Sequence, residues 1–312
     1  MTTSKITVPQ EILGQTPPYF DGVALLRDRA ALLDGWSDIY ELPAAPVAHE
    51  SRATRVARAA WYGRLIADLP DRTTLDGLPR STFETGPVHG GRDGARWTDL
   101  ARLVGFAFED MGLGRPRPHP LDRTARQALT AALDLLGEVF PRVAAQVLPF
   151  VSVGIVVENP VPSMYLSQTP EVIYVGHHML ERDTWELADA VLHESLHDVT
   201  ELARQVRQVL VPSYTEDTSA TTLLPWSVKQ PTKRYFSTWR LLSACHVYVH
   251  LAGFRRSVIG PSAEQIEVPT ERAQFMLDHL LASPHRDNLG EDGRVLVEWL
   301  DHSLKAMLEV RA

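Results

Sequence analysis

The sequence predicts an α+β fold: mostly helical, with a small central sheet, antiparallel or mixed, and a pair of metal-binding helices. Three observations lead there. Apolar residues recur at helical spacing over most of the 312 residues. Short β-rich runs cluster only between residues 151 and 175. The helical stretch that follows them carries His193-Glu194-Ser195-Leu196-His197, and two histidines four apart share one helical face.

The elements follow in order. Residues 1–20 read as an irregular lead and 21–35 as a short helix. Residues 48–69 form a clearer helix, with Val56, Ala59, Ala60, Leu65 and Ile66 set between arginines. The stretch 70–96, rich in Gly, Pro and Thr, reads as a long loop or a cover over a cleft. Helices are expected at 97–108 and 121–147, separated by a segment, 112–120, with three prolines. Strands are expected at 151–157, 164–166 and 172–175, then a helix from about 182 to 210. A loop at 212–232 leads to a helix starting near 234 or 237 and ending at 258. Two further helices fall near 270–281 and 293–310. Residues 1–147 read as a mainly helical N-terminal region and 148–312 as the metal-binding catalytic region, packed as one compact unit.

Composition narrows the class. A hydrophobic fraction of 44% and a charged fraction of 22% are ordinary for a globular chain. The net charge is −8 and no basic stretch is concentrated, so no nucleic-acid footprint is expected. The single cysteine, Cys245, rules out an intrachain disulfide. The first ten residues lack a signal-peptide pattern and no apolar run reaches membrane-spanning length. A cytoplasmic protein without membrane partners is the expectation.

On the 182–210 helix, Leu192, Leu196, Val199 and Val206 mark an apolar side. Glu186, Asp189, His193, His197, Glu201 and Arg204 mark a polar stripe that a wet cleft would receive. Two surface histidines four apart satisfy the same pattern. A catalytic metal site needs a third protein ligand and open positions. Glu201 and Glu216 lie just downstream, and His246 and His250 share a face of the later helix. An antiparallel helix pair would bring His246 opposite the first two histidines, so His246 is the expected third ligand and His250 the alternative. Zinc would use Glu194 as base for a bound water, making a hydrolase. Fe(II) on the same residues would support oxygen activation. Imidazole suits both metals. Arg234 and Arg240 are candidates to grip a cosubstrate carboxylate through a guanidinium fork, although either is equally a helix-surface charge. Trp226, Tyr235 and Trp239 read as cavity walls or as ordinary packing.

Four segments carry a resemblance: VIYVG at 172–176, LADAVLHESLHDVTEL at 187–202, LLPWSVKQPTKRYFSTW at 223–239 and HVYVHLAGFRR at 246–256. In these pieces and their order the chain resembles the bacterial peptide β-hydroxylases that carry the H-E-x-x-H motif and use iron and 2-oxoglutarate. The resemblance covers residues 150–260. It implies β-hydroxylation of side chains in ribosomally made precursor peptides, or of a related amino-acid substrate, with 2-oxoglutarate converted to succinate. It also implies iron at His193 and His197, with Glu194 orienting a histidine or a water. The family's downstream helix opens His-Gly, whereas this one opens His246-Val247. No Arg-Pro match precedes it, which leaves Arg234 or Arg240 for the cosubstrate. A zinc metallopeptidase and a non-catalytic protein that binds precursor peptide are the competing readings.

Overall fold

The computed structural model describes residues 25, 28, 83–84, 105, 108–109, 112–115, 117, 119, 122–141, 143–144, 153–166, 172–229, 233–260 and 264–309. The expected helix at 48–69 lies outside them, as does the loop at 70–96 except for one two-residue strand. The described part is mostly helical with two small sheets, one mixed and one antiparallel. The chain divides into two compact units, residues 22–202 in one and 203–312 with the first 21 residues in the other. The division falls at 202/203, within the motif helix.

In the first unit, β1 (Phe83–Glu84), β2 (Val153–Val157), β3 (Ser163–Tyr165) and β4 (Val172–Gly176) form a sheet in the order β1-β2-β4-β3. β1 and β4 both run parallel to β2, and β3 runs antiparallel to β4. All five β4 residues are buried, as an unbroken apolar run on an interior strand requires. Phe108 and Tyr174, both fully buried, meet edge to face at 5.6 Å. Ahead of β2, α1 (Arg123–Val139) buries Ala125, Leu129, Ala132 and Leu136, one stripe of an amphipathic helix. Asp122 caps it by accepting from the Ala125 N–H at 2.8 Å.

β4 ends at a glycine for a steric reason. A Cβ on Gly176 would land on the Val161 carbonyl oxygen and within 2.7 Å of the His178 ring. That close approach lets the chain pass from β4 into a single 3-10 turn, His177–Glu181, and then into α2 (Thr184–Val206).

In the second unit, β5 (Thr221–Leu223) and β6 (Tyr235–Ser237) pair antiparallel. Neither was expected from the sequence, which reads 212–232 as a loop and the chain from 234 or 237 as helix. They are followed by α3 (Thr238–Ile259), α4 (Glu264–Leu280) and α5 (Glu291–Glu309). α3 is buried around almost its whole circumference and packs against α4 and α5. Ser237 caps it through the Arg240 N–H. α4 begins six residues before the expected start because Pro269 lies inside it. Proline removes the N–H that would bond the Gln265 carbonyl, and the Arg255 guanidinium supplies the missing donor at 2.9 Å. His285, 3% exposed, joins β5 to the start of α3 by contacting the Thr222 and Thr238 hydroxyls, each at 2.8 Å. Among the described residues no helix is long and apolar enough to cross a membrane.

Gly176→Ala is expected to lower the thermal unfolding midpoint clearly, because neither the carbonyl of Val161 nor the following turn has room for a methyl group. An unchanged midpoint would show that this crossing is loose.

Candidate metal centre

α2 exists because Leu187, Ala188, Val191, Leu192, Leu196, Val199 and Leu202 fall at helical spacing and are all buried. Of the polar stripe on its other side only Asp189 is buried, while Glu186, His193, His197, Glu201 and Arg204 keep partial exposure; Glu194, Ser195, Asp198 and Thr200, which lie off the stripe, are buried. Two hydroxyls turn back onto the helix: Ser195 donates to the Val191 carbonyl at 2.7 Å and Thr200 to that of Leu196 at 2.6 Å. His193, with 29% of its side chain exposed, and His197, half-buried, keep access to solvent.

Their i, i+4 spacing sets the rings one above the other, with centroids 5.1 Å apart and planes tilted by 57°. Glu194 leaves the helix between them and is 5% exposed. Its carboxylate is anchored to β3. The Ser163 hydroxyl donates to Oε1 at 2.6 Å and the Tyr165 backbone N–H also donates. The Tyr165 ring lies nearly parallel to that of His197, at 6.4 Å and 16°. One short strand therefore fixes both the glutamate and the second histidine. Glu194 Oε1 lies 4.0 Å from His193 Nε2. One ligand atom from each of His193, Glu194 and His197 falls within 4.8 Å of the others.

Burial acts on the carboxylate and on the second imidazole alike, favouring the neutral form of each. Burial raises the Glu194 carboxyl above its ordinary range, while His197 and the Ser163 and Tyr165 bonds oppose that rise. His197 is pushed down to about 4, first by burial and then by His193, against the pull of Glu194. A neutral imidazole has its lone pair available to a metal without first releasing a proton. Two imidazoles and one carboxylate make a donor set that suits zinc or iron.

Of the residues singled out from sequence, His193, Glu194 and His197 come together. Glu201 lies one turn further along α2, in the first unit, and the remaining candidates belong to the second unit. His246 and His250 are each 2% exposed, with ring centroids 4.5 Å apart. His250 Nδ1 is 2.7 Å from the His246 carbonyl, and its ring stacks on Trp299 at 5.7 Å. The carbonyl only accepts, so Nδ1 carries the hydrogen. Burial pushes His250 down to about 4. Arg240, exposed, donates from Nε to Glu216 Oε1 at 3.0 Å, and Ser237 donates to the same oxygen at 3.1 Å. Arg234 is exposed, and its backbone N–H donates to Ser227. The aromatic residues pack within their unit. Arg272 sits over the rings of both Trp226 and Tyr248, Arg204 covers the buried Trp239, and Tyr235 is 53% exposed. Ser163 and Tyr165 were not legible as site residues, since nothing in the local sequence couples them to a helix some thirty positions later.

Two outcomes are expected. Ser163→Ala strips one hydrogen bond from a buried carboxylate and should cost about 1.5–3 kcal/mol in chemical denaturation; an unchanged stability would detach Ser163 from the site. His250 has a folded-state value below the ordinary 6.5, so the unfolded chain binds the proton first as pH falls. Its contribution is fully present above pH 6.5 and is lost as pH drops towards 4. Urea unfolding of the metal-free chain at pH 7 and pH 5 should differ by about 2 kcal/mol less in His250→Gln than in the parent. An equal pH dependence in both would mean that the imidazole is solvated.

No model of a known protein family matches the chain, and no curated protein matches it either.

Proposed function

We propose that this chain is a non-heme Fe(II)- and 2-oxoglutarate-dependent oxygenase. It would hydroxylate a side-chain β-carbon in a ribosomally made peptide or a related amino-acid substrate. The observation that carries the reading is the group of two imidazoles and one carboxylate within 4.8 Å, with the carboxylate tied into the sheet by Ser163 and Tyr165. A hydrolytic base must reach a water in an open coordination position. Glu194 is 5% exposed and hydrogen-bonded, which suits a positioning carboxylate better than a mobile base.

In this reading His193 and His197 hold the iron and His246 is the further protein ligand, with His250 as its alternative. Glu194 orients the paired imidazoles. Arg234 or Arg240 grips the distal carboxylate of 2-oxoglutarate, and Arg240 already holds a carboxylate, that of Glu216. Iron held there would supply the coupling of dioxygen reduction to oxidation of 2-oxoglutarate to succinate and carbon dioxide, with one oxygen atom entering a substrate C–H bond. The protein's share is to keep His197 neutral, hold Glu194 against β3 and orient the substrate.

The test is anaerobic loading with Fe(II), followed by measurement of dioxygen-dependent succinate formation with and without 2-oxoglutarate. Succinate should require all three components. His193→Ala and His197→Ala should each weaken iron binding by roughly a hundredfold or more, and His246→Ala should weaken it too if that residue is a ligand. Arg240→Ala should raise the KM for 2-oxoglutarate while leaving iron binding intact. Peptide cleavage supported by zinc without dioxygen would replace this reading with a metallopeptidase. A folded chain that takes up no metal would replace it with a peptide-binding accessory protein.

A further inference from the structure

A second group of polar side chains, sharing no residue with the His193 group, lies in the first unit. Residues Leu113, Arg117, His119, Glu158, Asn159, Pro160 and His177 line a cavity of about 410 Å³. That volume is in the range of small-molecule pockets. Its position in the fold also fits one. Glu158, Asn159 and Pro160 directly follow β2, and His177 directly follows β4, its parallel neighbour. The carboxyl ends of adjacent parallel strands are where open sheets containing them receive ligands.

The cavity wall is built rather than accidental. Gly112 and Gly114, at φ +72° and +66°, turn the chain where other residues are strained. They lead into Arg115-Pro116-Arg117-Pro118-His119-Pro120. Each proline biases the residue before it, Arg115, Arg117 and His119 in turn, towards extended backbone. Asn159, 4% exposed, fastens that segment to the sheet. Its Oδ1 accepts from the Arg117 N–H at 3.0 Å, and its Nδ2 donates to the carbonyls of Leu113 at 2.7 Å and Arg115 at 3.3 Å. Two backbone bonds add to this, His119 N–H to the Val156 carbonyl and Glu158 N–H to that of Arg117, both 2.8 Å.

The functional groups on this wall are unspent. The His119 and His177 rings stack, 5.2 Å apart and 25° from parallel. His177 Nδ1 is buried and has no hydrogen-bond partner among the described residues, a cost that a bound ligand would relieve. The Glu158 carboxylate stands 3.8 Å from His119 Nδ1, too far for a hydrogen bond. The Arg117 guanidinium has no ion-pair partner among the described residues. These groups divide into a cationic and imidazole side that suits an oxyanion and a carboxylate that suits a hydrogen-bond donor. The guanidinium beside the imidazoles disfavours a metal cation here.

We propose that this cavity binds a small molecule carrying an oxyanion together with a hydroxyl or ammonium donor, the chemistry of a hydroxy or amino acid. Arg117 and the two imidazoles take the oxyanion, and Glu158 takes the donor. The proposal does not depend on what the His193 group does.

Calorimetric titration of the full chain with malate and with succinate, which differ by one hydroxyl, tests it. Malate should bind saturably, one per chain, and more tightly than succinate. Arg117→Gln, at an exposed position that folding should tolerate, should weaken malate binding about tenfold or more. Glu158→Gln should bring malate and succinate closer together. His193→Ala should leave malate binding as in the parent chain. Absence of saturable binding by either acid at millimolar concentration would overturn the proposal, as would equal binding by the parent and Arg117→Gln. Zinc uptake lost in His177→Phe but kept in His193→Ala would overturn it too, by making this a cation site.

Discussion

The anchoring of one buried carboxylate organises the candidate metal centre. Glu194 is removed from water although His193 beside it keeps partial exposure. A carboxylate in that position is costly unless its oxygens are paired. Ser163 and the Tyr165 N–H pair them, and both come from a three-residue strand held by β4. Once Glu194 is fixed, the rotation of α2 about its own axis is fixed as well, and with it the direction in which His193 and His197 point. The Tyr165 ring beside His197 uses the same strand to limit the second imidazole.

This arrangement explains why so small a sheet suffices. β3 spans only Ser163–Tyr165, yet its register against β4, Ser163 opposite Val175 and Tyr165 opposite Ile173, fixes which residues face the helix. A slip of one residue would turn each side chain to the other face. The crossing of Gly176 under Val161 sets where β4 must stop, and the 3-10 turn from His177 then delivers the chain to α2. The cavity beside Arg117 and His119 also uses the end of β4, through His177, and its side chains differ from the first group by an added guanidinium.

The second unit shows how a polar residue can be absorbed by structure. Pro269 deprives Gln265 of its helical partner, and Arg255 restores it. His285 is buried between two threonine hydroxyls. His250 gives its Nδ1 hydrogen to the carbonyl one turn back and lays its ring on Trp299. Chemically versatile residue types thus do structural duty here, which is why a histidine's presence in a pattern says less than its surroundings.

The sequence by itself determined the helical character, the strands at 153–157, 163–165 and 172–176 to within about a residue or two, and the turn-spaced pair His193 and His197. Those follow from local periodicity, because a helix or a strand repeats its faces at a fixed interval whatever lies nearby. It also marked Glu194 as part of the motif. Only the tertiary structure decided what surrounds that glutamate, since Ser163 is 31 positions away and no local spacing links them. The same holds for the two short strands around residue 230 and for the helix that runs through Pro269, whose lost hydrogen bond is replaced from ten residues away. The His119 and His177 stack joins residues far apart in the chain. Local sequence sets which face a side chain takes, but its partner is set by where the other elements come to rest.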